Sequence, residues 1–305
     1  MEIAAILLRQ IVIMFLFMMI GAWLYRTDKL TKAGSKDLGN VLIYVIMPCV
    51  VLNAYMTEFS RERLTGLLWA FGLSVAALLL AMLVSHVIFK KHPIENFGTA
   101  FSNAGFMGIP LVSAVLGTEA VFYTSAFVAL LNILQWTYGV FVITRDRKQI
   151  SVNKILTNPV LISLAAGIVL FLLPIELPGV LTGTVSSIAA MNAPVAMISL
   201  GTYLAQTRLK ELFTDKTAYL STLVRLLVIP LLTLALLWLV PAEYMNLKLA
   251  VLIVAITPVG SNVAIFAQIH NQNYTQAVKS VCLSTLCSIV TMPLLVALAR
   301  MVWGA

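Results

Sequence analysis

Two short stretches decide how this chain folds: Ser102-Asn103-Ala104-Gly105-Phe106-Met107-Gly108-Ile109-Pro110 and Thr257-Pro258-Val259-Gly260-Ser261-Asn262. Each lies inside a long apolar run and so reads as the middle of a helix, yet each carries residues that interrupt one. Pro110 and Pro258 lack the amide hydrogen of the helix ladder and crowd the carbonyl four residues back. Gly105, Gly108 and Gly260 accept non-helical backbone angles. Asn103, Ser261 and Asn262 bring polar side chains to the same places. An interruption frees backbone N–H and C=O groups, which at membrane depth are tolerated only where protein or a water-filled cavity receives them. Broken helices at matching positions of two halves are the sequence mark of a transporter's binding site.

Composition agrees with a membrane setting. Of 305 residues, 61% are apolar and 10% charged, against about a quarter charged in ordinary soluble domains. Apolar runs predict ten spans, at 5–25, 38–57, 66–89, 96–116, 119–144, 155–173, 180–205, 217–240, 247–269 and 275–301. Ten spans of about 20 residues fill most of the chain, which excludes a separate soluble catalytic or DNA-binding domain. The net charge of +8 does not mark a nucleic-acid binder, because the basic residues are dispersed among connectors rather than gathered on one module. Connectors after odd-numbered spans hold Arg26, Lys29, Lys32, Lys36, Lys90, Lys91, Arg145, Arg147, Lys148, Lys154, Arg208, Lys210 and Lys216; those after even-numbered spans hold Arg61, Arg63 and Lys248. Basic residues favour the cytoplasmic side, so the expected orientation places both termini outside a cell membrane crossed many times. The first apolar run is read as a membrane helix rather than a cleaved signal.

The polar connector 145–158 divides the chain into a first unit, 1–144, and a second, 159–305. Five is an odd number, so the second set of five spans enters the membrane upside down. Pro48 of span 2 and Pro194 of span 7 stand 146 residues apart, and Pro110 and Pro258 stand 148 apart. These landmarks predict an all-α polytopic membrane protein of two inverted five-helix repeats, with spans 4 and 9 broken and crossing, and with further helix breaks at Pro48 and Pro194. Helix N-termini at the two central breaks would converge and attract an anion.

The acidic residues Glu2, Asp28, Asp37, Glu58, Glu62, Glu95, Glu119, Asp146, Glu176, Glu211, Asp215 and Glu243 all fall in connectors or at span ends. The expectation is therefore a pathway without a buried carboxylate, since intramembrane acids mark cation and proton routes. Arg225 enters span 8, where it either snorkels to the interface or compensates charge on a substrate or on helix C-terminal carbonyls. Lys279 is read as snorkelling. Asn192, beside Pro194, is a possible substrate contact, whereas Asn132, Gln135, Ser284, Thr285 and Ser288 are assigned to helix packing. Cys49, Cys282 and Cys287 and the histidines His86, His92 and His270 show no metal-ligand spacing, so no metal or cofactor is expected, and an enzyme would lack a nucleophile with its base.

From Asn103 to Pro110, continuing through Leu111 and Gly117, the chain resembles the auxin efflux carrier family, whose bacterial members are usually called malate or malonate permeases. Further likeness runs through Tyr44 to Pro48, the surroundings of Pro258, and Leu283-Ser284-Thr285 to Pro293-Leu294. The resemblance implies two inverted five-helix bundles, a scaffold that carries a homodimer contact, and a second body that moves substrate by an elevator-like step. It implies that Asn103 touches a substrate carboxylate and that Pro110 and Pro258 mark the crossover. The long cytoplasmic loop of the plant carriers has no counterpart in 145–158, and auxin itself is not implied.

These readings predict a secondary or potential-driven carrier, most simply an exporter, of small organic anions such as carboxylates. Its predicted substrate contacts are Asn103, Gly108, Pro110, Pro258, Gly260, Ser261 and Asn262. The alternatives are a sodium- or proton-coupled symporter of the bile-acid type, and a membrane sensor that binds ligand without flux.

Overall fold

A computed structural model describes residues 2–173, 175, 177–206 and 215–304. The expected connector charges Arg208, Lys210, Glu176 and Glu211 lie outside the described residues. Those residues form helices and no strand. In chain order they are α1 (Glu2–Arg26), α2 (Lys32–Tyr55), α3 (Arg61–Phe89), α4 (Pro93–Ala100), α5 (Ala104–Leu116), α6 (Glu119–Thr144), α7 (Pro159–Leu172), α8 (Gly179–Ala205), α9 (Lys216–Trp238), α10 (Met245–Ala255), α11 (Asn262–Ile269) and α12 (Tyr274–Trp303). Short helical turns at Arg147–Gln149 and Val152–Leu156 occupy the central connector.

Seven of these, α1, α2, α3, α6, α8, α9 and α12, are long and apolar enough to cross a membrane. The other apolar segments fall short for two reasons. The chain from α4 to α5 and from α10 to α11 is interrupted, and α7 has 14 residues, about 21 Å of helix against a hydrocarbon core of about 30 Å. Start signals are local: Thr31, Ser60, Asn158 and Asp215 each accept from backbone N–H groups of the helix they precede.

Three prolines act through one device. A π turn begins six residues before Pro48 (Leu42–Ile46), before Pro110 (Ala104–Gly108) and before Pro230 (Val224–Val228). The proline ring crowds the carbonyl four residues back, and widening the turn gives that carbonyl room without breaking the rod. Pro48 therefore does not interrupt span 2, which runs unbroken through α2, contrary to the break expected there. The interruption expected at Pro194 lies at Met191, where the chain turns between Ala190 and Asn192.

Helix α1 packs along α8, and α7 packs along α2. Both pairings depend on glycine. A Cβ on Gly21 would overlap the Ile198 carbonyl and one on Gly201 would overlap the Met18 carbonyl, while Gly167 lies against the Tyr55 ring. Small residues allow backbones this close in a bilayer, where lipid offers no hydrophobic drive for association. The remaining helices pack as a second group, with α3 on α4 and α6, α10 on α6, and α9 and α11 on α12.

Gly201→Ala should destabilise the folded protein by about 3 kcal/mol or more, because the added methyl meets backbone and cannot be accommodated by a rotamer change. Gly72→Ala, with open space around it, should be neutral or stabilising by up to about 1 kcal/mol. Denaturant unfolding of the two variants in detergent measures the difference.

Candidate functional site: a cavity over the paired helix breaks

The two interruptions meet. Ser102 and Val259 form an isolated antiparallel bridge, in which the Asn103 amide donates to the Pro258 carbonyl at 2.9 Å and the Gly260 amide donates to the Phe101 carbonyl at 3.0 Å. The Val259 amide donates to Ser284 Oγ of α12 at 3.1 Å. Groups released by breaking one helix are thus satisfied by the other, as an apolar interior demands. Gly260 is required by the approach itself, since a Cβ would stand 2.9 Å from the Ser102 carbonyl oxygen.

Arg225 closes the same junction from α9. It is 1% exposed, and its guanidinium donates to the carbonyls of Thr99 at 3.1 Å, Thr257 at 3.0 Å and Ala255. Thr99 lies in the last turn of α4 and Ala255 ends α10, so one cation serves the carbonyl ends of both first half-helices, where orphan acceptors and the negative end of each dipole coincide. Of the roles open to Arg225, the geometry matches compensation of helix C-terminal carbonyls. Snorkelling is excluded by its burial.

Beside the bridge lies a cavity of about 350 Å³, at the small end of ligand pockets. Its walls include Ser102, Asn103 and Phe106 at the start of α5, Asn132, Gln135 and Trp136 of α6, Gly260, Asn262 and Phe266 at the second break, and Tyr44 of α2. Asn262 Nδ2 donates to Gln135 Oε1 at 2.9 Å, which leaves the Gln135 amide nitrogen without a partner. Asn103 Nδ2, Ser102 Oγ and Asn262 Oδ1 also lack partners, although Gln135 is 1% and Asn103 4% exposed. Buried polar atoms are nearly always paired, so two orphan amide donors here match an acceptor-rich ligand. Among the described residues, Lys154 is the charged one lining the cavity. Burial and the Lys154 charge hold nearby His270 below the ordinary imidazole range.

The expected site residues separate into groups. Asn103, Gly260 and Asn262 line this cavity, while Pro258 contributes its carbonyl to the bridge. Ser261 sits behind the cavity in a crevice with Tyr203 and Leu200. Gly108 faces away, against Val254 of α10. Pro110 and Asn192 line a second cavity of about 370 Å³, and Asn192 Nδ2 reaches through to the Gly105 carbonyl at 3.1 Å.

Three sequence expectations need correction. Gln135 lines the cavity rather than serving packing alone; it opens a π turn, Gln135–Gly139, which no proline in the sequence announces. Glu95 is a buried carboxylate, 4% exposed, accepting from Gln276 Nε2 at 2.9 Å and Thr217 Oγ1 at 3.2 Å, because α4 starts earlier than the apolar run suggests. Lys248 belongs to α10 rather than a connector, and its Nζ donates to the Val240 carbonyl at 3.0 Å.

An all-helical chain with several membrane-crossing helices, two of its apolar runs interrupted and joined beside a cavity, has the build of a multi-pass membrane transporter. Two successive stretches, residues 6–155 and 148–296, match the family described as membrane transport protein. The chain belongs to that family, which is the family of the auxin efflux carriers. Comparison with curated proteins gives no match.

Removing the Arg225 guanidinium should strand three buried carbonyls. Arg225→Met is expected to destabilise by roughly 3–5 kcal/mol, as for loss of one partner from a buried charge network. Arg225→Lys should recover only part, because a point-like ammonium cannot span carbonyls from two helices. Thermal unfolding in detergent ranks the three proteins.

Proposed function

We propose that this transporter carries small organic anions, with the carboxylate held between the Asn103 and Gln135 amides at the paired breaks. The observation that carries the reading is the pair of buried, unpartnered amide nitrogens on one cavity. A carboxylate offers about four lone-pair sites and so accepts from both, and the walls of Phe106, Trp136 and Phe266 suit an apolar or aromatic remainder. Among the described residues the cavity lining contains no acid, which is consistent with an anionic ligand. Glu95 is not among the residues that line the cavity.

The full architecture in this reading is ten spans as two inverted five-helix repeats, 1–144 and 159–305, with α4–α5 and α10–α11 as crossing partners. Two lines support it. The family matches the chain twice in succession, and the pairings α1 with α8 and α7 with α2 exchange when each half is laid on the other. In the elevator step, α1, α2, α7 and α8 are the scaffold, through which a homodimer forms, and the group carrying the bridge moves. The cavity touches both groups, through Tyr44 and Asn158 on one side and Asn103 and Asn262 on the other. In this reading the basic connectors are cytoplasmic, so Lys154 lies on the inner side of a cell membrane and the cavity opens inward. In an inside-negative cell, one charge crossing 100 mV is worth about 2.3 kcal/mol, a bias of roughly fortyfold toward export of a monoanion.

Reconstituted liposomes test the reading, after a screen of monocarboxylates, dicarboxylates and aryl carboxylates for thermal stabilisation has supplied the substrate. Asn103→Leu and Gln135→Leu should each weaken binding at least tenfold, the value of about 1.4 kcal/mol for a lost hydrogen bond to a charged group, while the proteins remain folded. Imposed negative potential inside should accelerate efflux of a monoanion. Unchanged binding in both folded variants would contradict the site, and a flux indifferent to potential would contradict the electrogenic mechanism.

A further inference from the structure

A second, basic groove lies at the other side of the α6 terminus, outside the proposed transport site. About 400 Å³ in volume, it is lined by His86, Lys90 and Lys91 at the end of α3, by Pro93 and Asn96 of α4, and by Phe141, Val142 and Arg145 at the end of α6. Local structure builds it. Arg145 adopts a left-handed conformation (φ 56°) that ends α6, and its guanidinium donates to the Lys91 carbonyl at 3.4 Å. His86 is paired with the Tyr138 hydroxyl at 3.4 Å. The Arg147 guanidinium covers the Phe141 ring at 5.5 Å, adding another cation at the rim. Lys90, Lys91 and Arg145 are exposed, and none of them pairs with a carboxylate among the described residues.

The groove has an apolar continuation that a soluble anion would not use. Leu83 is 63% exposed and Val87 70% exposed on one face of α3, and the helical C-cap Lys90, one turn on, continues that face into the turn that carries Lys91. That stripe passes from the lipid-facing surface of a membrane span directly to the basic rim, and Phe141 and Val142 continue the apolar wall on α6. A phosphodiester on the rim with acyl chains along the stripe satisfies both ends at once.

We propose that this groove holds the headgroup of one anionic phospholipid of the surrounding bilayer, with Lys90, Lys91 and Arg145 on the phosphate. Bound there, the lipid bridges the end of α3 to the end of α6, two helices that flank α4 and the first break. Basic pockets between membrane helices recognise anionic headgroups by this combination of local charge and apolar access. The inference is independent of what the transport cavity carries.

The test is the association of spin-labelled phosphatidylglycerol, relative to spin-labelled phosphatidylcholine, with the full-length protein in phosphatidylcholine nanodiscs. The native protein should prefer phosphatidylglycerol by about tenfold. Lys90→Gln/Lys91→Gln/Arg145→Gln should lose that preference, and the single, exposed-site Arg145→Gln should lose part of it with no effect on folding. The variant Arg26→Gln/Lys29→Gln/Lys36→Gln removes equal charge from another connector and should keep the preference within about twofold. Equal loss in the two triple variants would show diffuse surface attraction and overturn the proposal, as would retention in both groove variants. Displacement of the labelled lipid by inorganic phosphate at constant ionic strength would also overturn it, because the groove would then be a soluble-anion site.

Discussion

A helix broken inside a membrane must give its freed peptide groups a partner, and in this protein the partner is another broken helix. The bridge between Ser102 and Val259 is that solution, and the surrounding arrangement follows from it. Gly260 is needed because the backbones approach within the space of a methyl group. Ser284 is needed because the Val259 amide would otherwise be orphaned. Arg225 is needed because the chain also leaves two carbonyl-terminated half-helices pointing into the protein interior. A buried guanidinium is costly alone, but here each of its hydrogen bonds removes an unpaired acceptor.

This arrangement leaves side chains, rather than backbone carbonyls, to face the cavity. The first carbonyls are occupied by Arg225 and the bridge, so the groups without partners are the amide nitrogens of Asn103 and Gln135, the hydroxyl of Ser102 and the single amide oxygen of Asn262. The balance of free donors over acceptors favours an anion, and no fixed charge within the bridge itself is required. The π turns contribute as well. At Ala104–Gly108 the widened turn follows directly on Asn103, and at Gln135–Gly139 it carries Gln135 itself. Such turns recur at functional sites because they re-aim side chains without ending the helix.

Much of this was legible in the sequence. Proline, glycine and asparagine inside apolar runs marked both breaks, and the placement of lysine and arginine in short connectors marked a membrane protein. What remained hidden was hidden for physical reasons. Proline at 48 reads like proline at 110, and both only widen a turn; the chain breaks at Ser102 instead, where a neighbouring broken helix accepts the released groups. Gln135 carries no local signal that separates a cavity-lining amide from one that packs helices together. Glu95 lies at the edge of its apolar run, and only the packing of α4 against the starts of α9 and α12 makes that edge an interior. Arg225 was visible as an anomaly, while its carbonyl partners lie 30 or more residues away along the chain.

The central claim is that one carboxylate is shared by the amides of both breaks' neighbourhood, Asn103 from α5's start and Gln135 from α6. The most direct measurement is a solid-state NMR distance between the carboxylate carbon of a ¹³C-labelled acid, bound to the protein in lipid, and the ¹⁵N side-chain amides of Asn103 and Gln135. The account predicts both separations at about 4 Å, as N–H···O bonds of about 2.9 Å require. A carboxylate found close to neither amide, or seated in the opposite cavity beside Pro110 and Asn192, would contradict it.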